Sequence, residues 1–342
     1  MRPDLRNTVW LEYMYIDAMY LQSTLWAAQS YFDWVARSGP SKQSMLHESK
    51  TLDLLQSRLA LKDRESISDS TIAVVLVHVL IPALIGDLKM AIAHMAGLAR
   101  MVSMRGGLSA LQDNMHLQGK VCRADLCIAL ATSRPPHLFS ATDVKWDRIL
   151  AEADDDRWAL PREIRALRKD AKVTNLWADF KCFTALANLA FQSDRKLKPE
   201  MFQDMLTSVM YRTMLLDLSS QSTPRLLHMG MLAFGATVFL QAHGVKARFE
   251  NMSRRLREAI CATDVDNGQD ALHEIKLWSL FVMKLSAVTN EDDDWIVPRL
   301  RAQIRKNGAG SWKEVRSALK KSLWIDAIHD EDGEALYFRA IV

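Results

Sequence analysis

Cysteine, glycine and proline are scarce in this sequence, and no apolar run is long. The four cysteines, Cys122, Cys127, Cys182 and Cys261, nowhere form a CxxC pair. Neither a disulfide framework nor a zinc ribbon is expected, and the thiols read as reduced, small, mostly buried side chains of an intracellular protein. Thirteen glycines and nine prolines in 342 residues are too few for a turn-rich all-β chain. The longest apolar run, inside 72–85, is interrupted by His78 and Pro82. It falls short of the roughly 18 residues a membrane-spanning helix needs. No charge sign prevails either: 44 basic residues face 41 acidic ones, and a net charge of +3 does not mark a nucleic-acid binder. The opening MRPDLRNTVWLEYMY carries charges and aromatics where a secretory signal needs an apolar core, so no signal peptide is expected.

The motifs of several chemistries are missing as well. His273-Glu274 begins like a zinc-protease helix, but the position four after His273 is Leu277, so the second imidazole is absent. Gly308-Ala309-Gly310 lacks the third glycine and the lysine of a nucleotide loop. The runs 154–156 and 292–294 are three adjacent aspartates each, and neighbours on a helix diverge by about 100°, so neither run converges on magnesium as a terpenoid synthase requires. There is no GxSxG elbow. Asn251-Met252-Ser253 matches a glycosylation acceptor that has no use without secretion, and 254–257, RRLR, is too short for a persuasive nuclear-import signal. No cofactor and no metal are expected, and catalysis is not the leading reading.

What is abundant is Leu, Ala, Met, Arg and Lys at helical spacing, and no alternation long enough for a strand survives. The expected fold is all-α, a multi-helical superhelix or α-solenoid-like array of antiparallel helix pairs. One domain over 1–342 is expected, with a soft subdomain boundary at the proline loop 133–141. Residues 69–107 form the centre of that reading. From Ile72 to Ile85 only His78 interrupts an apolar surface, so this helix must be buried all round, and Val77→Asp is expected to destabilise by several kcal/mol. The next segment, 89–104, carries Ala91, Ala93, Ala96, Gly97 and Ala99 for close helix approach, and Arg105-Gly106-Gly107 ends it. His78 itself reads as a core histidine satisfied by one carbonyl.

Before it, residues 4–37 are expected as one long amphipathic helix with Trp10, Met14, Asp17, Leu21, Leu25 and Ala28 on one face. A partner helix at 41–62 would place Met45, Leu52, Leu55 and Leu59 inward. The aromatics Tyr13, Tyr15, Tyr20, Trp26, Tyr31, Phe32 and Trp34 read as core anchors, a ligand box being the alternative. After the proline loop, Pro161 opens a helix on which Arg162, Arg165, Lys169 and Lys172 form a cationic stripe. Such a stripe could contact an acidic partner or phosphates, although a solvated face is the commoner use. Further helices are expected at about 174–193, 199–217, 223–242, 246–262, 269–287, 291–306 and 311–324, the last opened by a Ser311/Glu314 capping box.

Several of these pieces resemble one family. AHMAGLARMVSMRGGL, with His94, Leu98, Met101, Arg105, Gly106 and Gly107, is followed by KVCRADLCIAL, RPPHLF and, near the end, LWSLFVMKLSAV, DDWIVPRLR and SWKEVRSALKKSLWIDAIHD. Together they look like the helical regulatory region of fungal-specific transcription factors of the zinc-cluster type. The family's DNA-binding module carries six cysteines near its start, whereas the first cysteine here is Cys122, so no zinc cluster is expected. The resemblance implies a nuclear regulator of a filamentous fungus, with the cytoplasm as the alternative. Its partners would be proteins, zinc-cluster transcription factors among them, together with a small-molecule effector. Neither direct sequence-specific DNA binding nor a membrane is implied. The competing reading is a metabolite-binding protein or enzyme with an apolar pocket on the same helices.

Overall fold

The computed structural model describes residues 9–140, 142, 144–150, 160, 170–218, 222–241, 249–265, 272–286 and 293–341. The protein is all-α, and no strand occurs among the described residues. It divides into two compact units, 1–128 and 129–342. The Pro161 helix, the aspartates at 154–156, and Arg162, Arg165 and Lys169 of the cationic stripe lie outside the described residues.

The first unit contains α1 (Val9–Ile16), α2 (Ala18–Val35), α3 (Lys42–Ala60), α4 (Asp69–Ile85) and α5 (Leu88–Arg105). The single N-terminal helix expected over 4–37 is instead broken at Asp17. That residue leaves the helical region (φ −126°, ψ 103°), and its carboxylate accepts the Met19 and Tyr20 amides at 3.0 and 3.2 Å. Arg58 from α3 then closes on it at 2.5 and 3.0 Å. An aspartate counted as part of an amphipathic stripe is thus an N-cap held by an ion pair, a use of the residue that periodicity does not register. Desolvation opposes ionisation of Asp17, but its hydrogen bonds from Arg58, Ser70 and Tyr20 prevail and hold its pKa below the ordinary carboxylate value.

The inward faces of α2 and α3 also differ from expectation. On α2 the buried positions are Met19, Tyr20, Ser23, Trp26, Ser30 and Asp33, while Leu25 and Ala28 of the expected core face are exposed. On α3 they are Ser44, Thr51 and Leu55, with Met45, Leu52 and Leu59 exposed. The cause is close approach. Ser30 and Ser44 meet hydroxyl to hydroxyl at 3.0 Å, Thr51 donates back to the His47 carbonyl at 2.7 Å, and Asp33 accepts the Ser41 amide at 2.9 Å. Small hydroxyl side chains that satisfy each other or their own helix can take buried positions beside Met19, Tyr20, Trp26 and Leu55 without leaving a polar group unpaired.

α4 and α5 form the second antiparallel pair. Ile72, Val74 and Val79 are fully buried, as are Ala91, Met95 and Leu98 of α5. Burial of α4 is nevertheless incomplete: Val77 is half-buried, and Leu80 and Ile85 are exposed. Val74→Asp, not Val77→Asp, is therefore the substitution expected to cost several kcal/mol through an unpaired buried charge, with Val77→Asp well below it. Equal melting temperatures for the two variants would contradict this placement. Among the small residues of α5, only Ala91 is fully packed. Ala93, Ala96 and Gly97 face outward, and a Cβ at Gly97 would meet nothing within 4 Å.

α6 (Met115–Thr132) carries the chain across the division. The second unit then contains α7 (Ala171–Gln192), α8 (Pro199–Asp204), α9 (Met210–Leu215), α10 (Ser222–Gly235), α11 (Glu250–Val265), α12 (His273–Ser286), α13 (Asp293–Lys306), α14 (Trp312–Lys321) and α15 (Asp326–Ile341). Two five-residue π-helical stretches, Met205–Val209 and Ala236–Leu240, interrupt the ladder before α9 and after α10. The core is aromatic: Trp177, Trp278, Trp324, Phe180, Phe234 and Phe281 are all at most 2% exposed. Gly230 exists to admit one of them, since a Cβ there would stand 2.4 Å from the Trp278 ring. α14 opens with the expected capping box, Ser311 and Glu314 serving each other's amides at 3.4 and 3.0 Å. Among the described residues no helix is long and apolar enough to cross a membrane.

Candidate functional site

In the first unit, the residues that carry the family resemblance form a helix junction. Gly106 (φ 113°) and Gly107 (φ 83°) adopt conformations that side-chain-bearing residues avoid. Their amides cap α5 by donating to Ser103 and Val102 at 3.0 and 2.9 Å. Arg105 pairs with Asp69 at the start of α4 and donates to the Ile67 carbonyl at 3.2 Å. Asn114 holds the other Asp69 oxygen at 2.7 Å. The arginine and two glycines therefore fasten one end of the α4/α5 pair. Leu98 and Met101 are buried beneath it.

His94 lies against His78, ring centres 5.4 Å apart, and His78 against Trp26 at 4.7 Å. His78 donates Nδ1–H to the Val74 carbonyl at 2.9 Å. Burial lowers the pKa of both imidazoles, so they stay neutral and make a packed aromatic contact. Of the N-terminal aromatics, Tyr20 and Trp26 are core and Tyr13 is half-buried, while Tyr15, Tyr31, Phe32 and Trp34 are exposed. They do not share one enclosed box. Of the cationic stripe only Lys172 is described, its ammonium resting 4.8 Å from the centre of the Trp146 ring. No group of three His, Cys, Asp or Glu side chains among the described residues could hold a metal ion.

Hydroxyls take part of the buried side of α2 and α3 beside Met19, Tyr20, Trp26 and Leu55, and a second set of apolar side chains is left outside. Leu25 and Phe32 are seven residues apart on α2, as are Met45, Leu52 and Leu59 on α3, and each set therefore follows a single helical stripe. Phe32 is 65% exposed and Met45 50%. This is an apolar band on a hairpin whose own packing does not use it. Such contiguous surface marks an interaction site more often than a defect of folding.

The second unit contains a cavity of about 280 Å³. Its walls come from four separated stretches: the end of α6 and the turn after it, the end of α9 with Leu216 and Asp217, α10, and α11. α6 stops where Ser133 takes a left-handed conformation (φ 55°) and Pro135-Pro136 forbid another helical turn. Asn251 of α11 secures that end by donating its amide to the Ala131 carbonyl at 2.6 Å. The asparagine of the Asn-Met-Ser triplet is thus a helix cap, and Met252 beside it lines the cavity.

The floor is apolar, from Leu130, Met214, Met229, Leu232 and Met252. Three polar groups interrupt it. His228 donates Nε2–H to the Thr213 carbonyl at 2.7 Å, and burial draws its pKa down to about 4, so it is neutral and keeps an Nδ1 lone pair. Arg134 and Arg255 line the same space, and neither guanidinium has a hydrogen bond or ion pair among the described residues. Their sequence neighbours behave differently: Arg254 pairs with Glu258 at 2.8 Å and Arg257 stacks over Trp295 at 4.7 Å. RRLR is therefore no continuous basic patch, since each arginine has its own surroundings. Asp217, on the exposed side, lines the cavity as well.

No protein-family model, curated protein or solved structure matches the chain.

Proposed function

We propose that this protein is a transcription-factor-like regulator that acts through protein contacts, not an enzyme, and that the α2/α3 hairpin is its contact surface. The observation that carries the reading is the exposed apolar stripe on each helix of that hairpin, Leu25 and Phe32 on α2 and Met45, Leu52 and Leu59 on α3, left in water while serines and a threonine occupy buried positions. A partner helix laying its own apolar face along these stripes would bury what the hairpin leaves in water. Support for the regulatory class is the family resemblance carried by His94, Leu98, Met101, Arg105, Gly106 and Gly107, and the partner class it implies is zinc-cluster transcription factors in the nucleus.

The test is chromatin immunoprecipitation of the tagged protein, in parallel with Phe32→Ser combined with Met45→Ser. Both positions are exposed, so the double variant should fold with its melting temperature nearly unchanged. Occupancy of discrete promoters is expected, and the double variant should lose about tenfold or more of it, the loss of about 1.4 kcal/mol of binding. Occupancy should also vanish in cells that lack the partner factor. Absence of occupancy, or occupancy indifferent to both changes, overturns the proposal.

A further inference from the structure

We infer that the cavity between α9, α10, α11 and the end of α6 binds a small carboxylic acid that also carries a hydroxyl group. Three features of the site specify this chemistry. Arg134 and Arg255 offer guanidinium groups that nothing among the described residues engages, and a guanidinium presents paired N–H donors in the plane that a carboxylate accepts. The apolar floor of Leu130, Met229, Leu232 and Met252 suits a short aliphatic or aromatic body. The Nδ1 of His228 accepts but cannot donate while Nε2–H is committed to the Thr213 carbonyl, so the third group of the ligand must be a donor, which a hydroxyl supplies.

Size restricts the class further. The cavity, about 280 Å³, lies at the lower edge of the range of about 300–1,000 Å³ typical of ligand pockets, which excludes nucleotides and long acyl chains. Charge excludes others. Two guanidinium groups favour negative charge on the ligand and repel a cation.

This inference concerns the second unit alone and does not rest on the contact surface proposed for α2 and α3. The test is isothermal titration of the full-length protein with phenyllactate and hydroxyhexanoate, each beside its amide and its deoxy analogue. At least one hydroxy acid is expected to bind with a sub-millimolar Kd, its amide about tenfold more weakly, and its deoxy analogue about threefold more weakly. Arg255→Gln and Arg134→Gln break no hydrogen bond or ion pair among the described residues, so their melting temperatures should match the parent. Each should weaken the acid about tenfold and leave the amide unchanged. Failure of both acids to bind, equal affinity for acid and amide, or binding untouched by both arginine substitutions would each overturn the assignment.

Discussion

Asp179→Leu is expected to destabilise the second unit by about 3–5 kcal/mol, the largest single effect at any position described. Asp179 and Arg212 are 0% and 1% exposed, and they meet at 2.8 Å. The aspartate also accepts the Ile149 and Leu150 amides at 3.0 and 2.9 Å, and Arg212 donates to the Asp147 carbonyl at 2.6 Å. Asn175 reinforces the arrangement, binding the Trp146 carbonyl at 3.0 Å and receiving Arg148 Nε at 3.0 Å. The segment 146–150 has no regular structure of its own, so these side chains substitute for a backbone ladder and strap it to α7 and α9. Removing the aspartate leaves a buried guanidinium uncompensated and two amides without an acceptor. Arg212→Met should cost less, because the two amides still solvate the carboxylate. The double variant should be more stable than Asp179→Leu alone, with a coupling of about 2 kcal/mol or more, since the isolated charge rather than the lost attraction dominates the penalty. Urea unfolding followed by tryptophan fluorescence reads all four proteins. Additive losses would show that the pair is not coupled.

None of that strap could be read from the sequence, because Asp179 and Arg212 are ordinary members of two helical patterns and their backbone partners are 29 to 65 residues away. Local signals were legible. The glycines after Arg105, the serine and glutamate of α14, and the apolar surface of α4 each announce a conformation within a few residues of themselves. The inward faces of α2 and α3 were not, because hydropathy ranks leucine above serine, whereas helix approach ranks small above large. Asp17 failed for a related reason: a carboxylate capping a helix has the same period as its neighbours and no hydropathy that reveals the cap. The cavity was hidden by distance. Arg134, His228 and Arg255 belong to three elements, and only the fold brings them to one space. Long-range helix capping is equally invisible. Lys181 of α7 donates to the carbonyls of Lys320, Lys321 and Ser322 at 2.9, 2.6 and 2.5 Å, closing the C-terminal end of α14 from more than a hundred residues away.

Acid should unfold the second unit well before its carboxylates titrate, and His228 and His329 are the reason. Burial holds the pKa of each near 4, against an ordinary value near 6.5. His329 is 1% exposed and committed as a neutral ring: Nδ1 accepts the Ile325 amide at 2.9 Å, and Nε2–H meets the Thr237 hydroxyl at 2.8 Å. That hydroxyl in turn donates to the Phe234 carbonyl at 2.6 Å. A second proton on the ring has no acceptor unless the Ile325 bond breaks, and the favourable field of Asp330, Asp326 and Asp332 does not offset desolvation. Because the folded values lie below the unfolded one, the unfolded chain binds more protons between about pH 6.5 and 4, so stability falls as pH falls through that window. Each histidine contributes about 1.4 kcal/mol per pH unit, and the two together about 3 kcal/mol per unit. The capping and ion-paired carboxylates Glu314 and Asp330 have lowered values and lose their contributions only as pH falls through and below the ordinary carboxylate range, at the acid end of the histidine window. Urea titrations from pH 7 to 4.5 measure the slope. His329→Gln costs stability at neutral pH but should halve the slope, and it is the slope that decides. A flat profile down to pH 4.5, or a slope unchanged in His329→Gln, would show that these rings accept protons in the folded protein as readily as in the unfolded one.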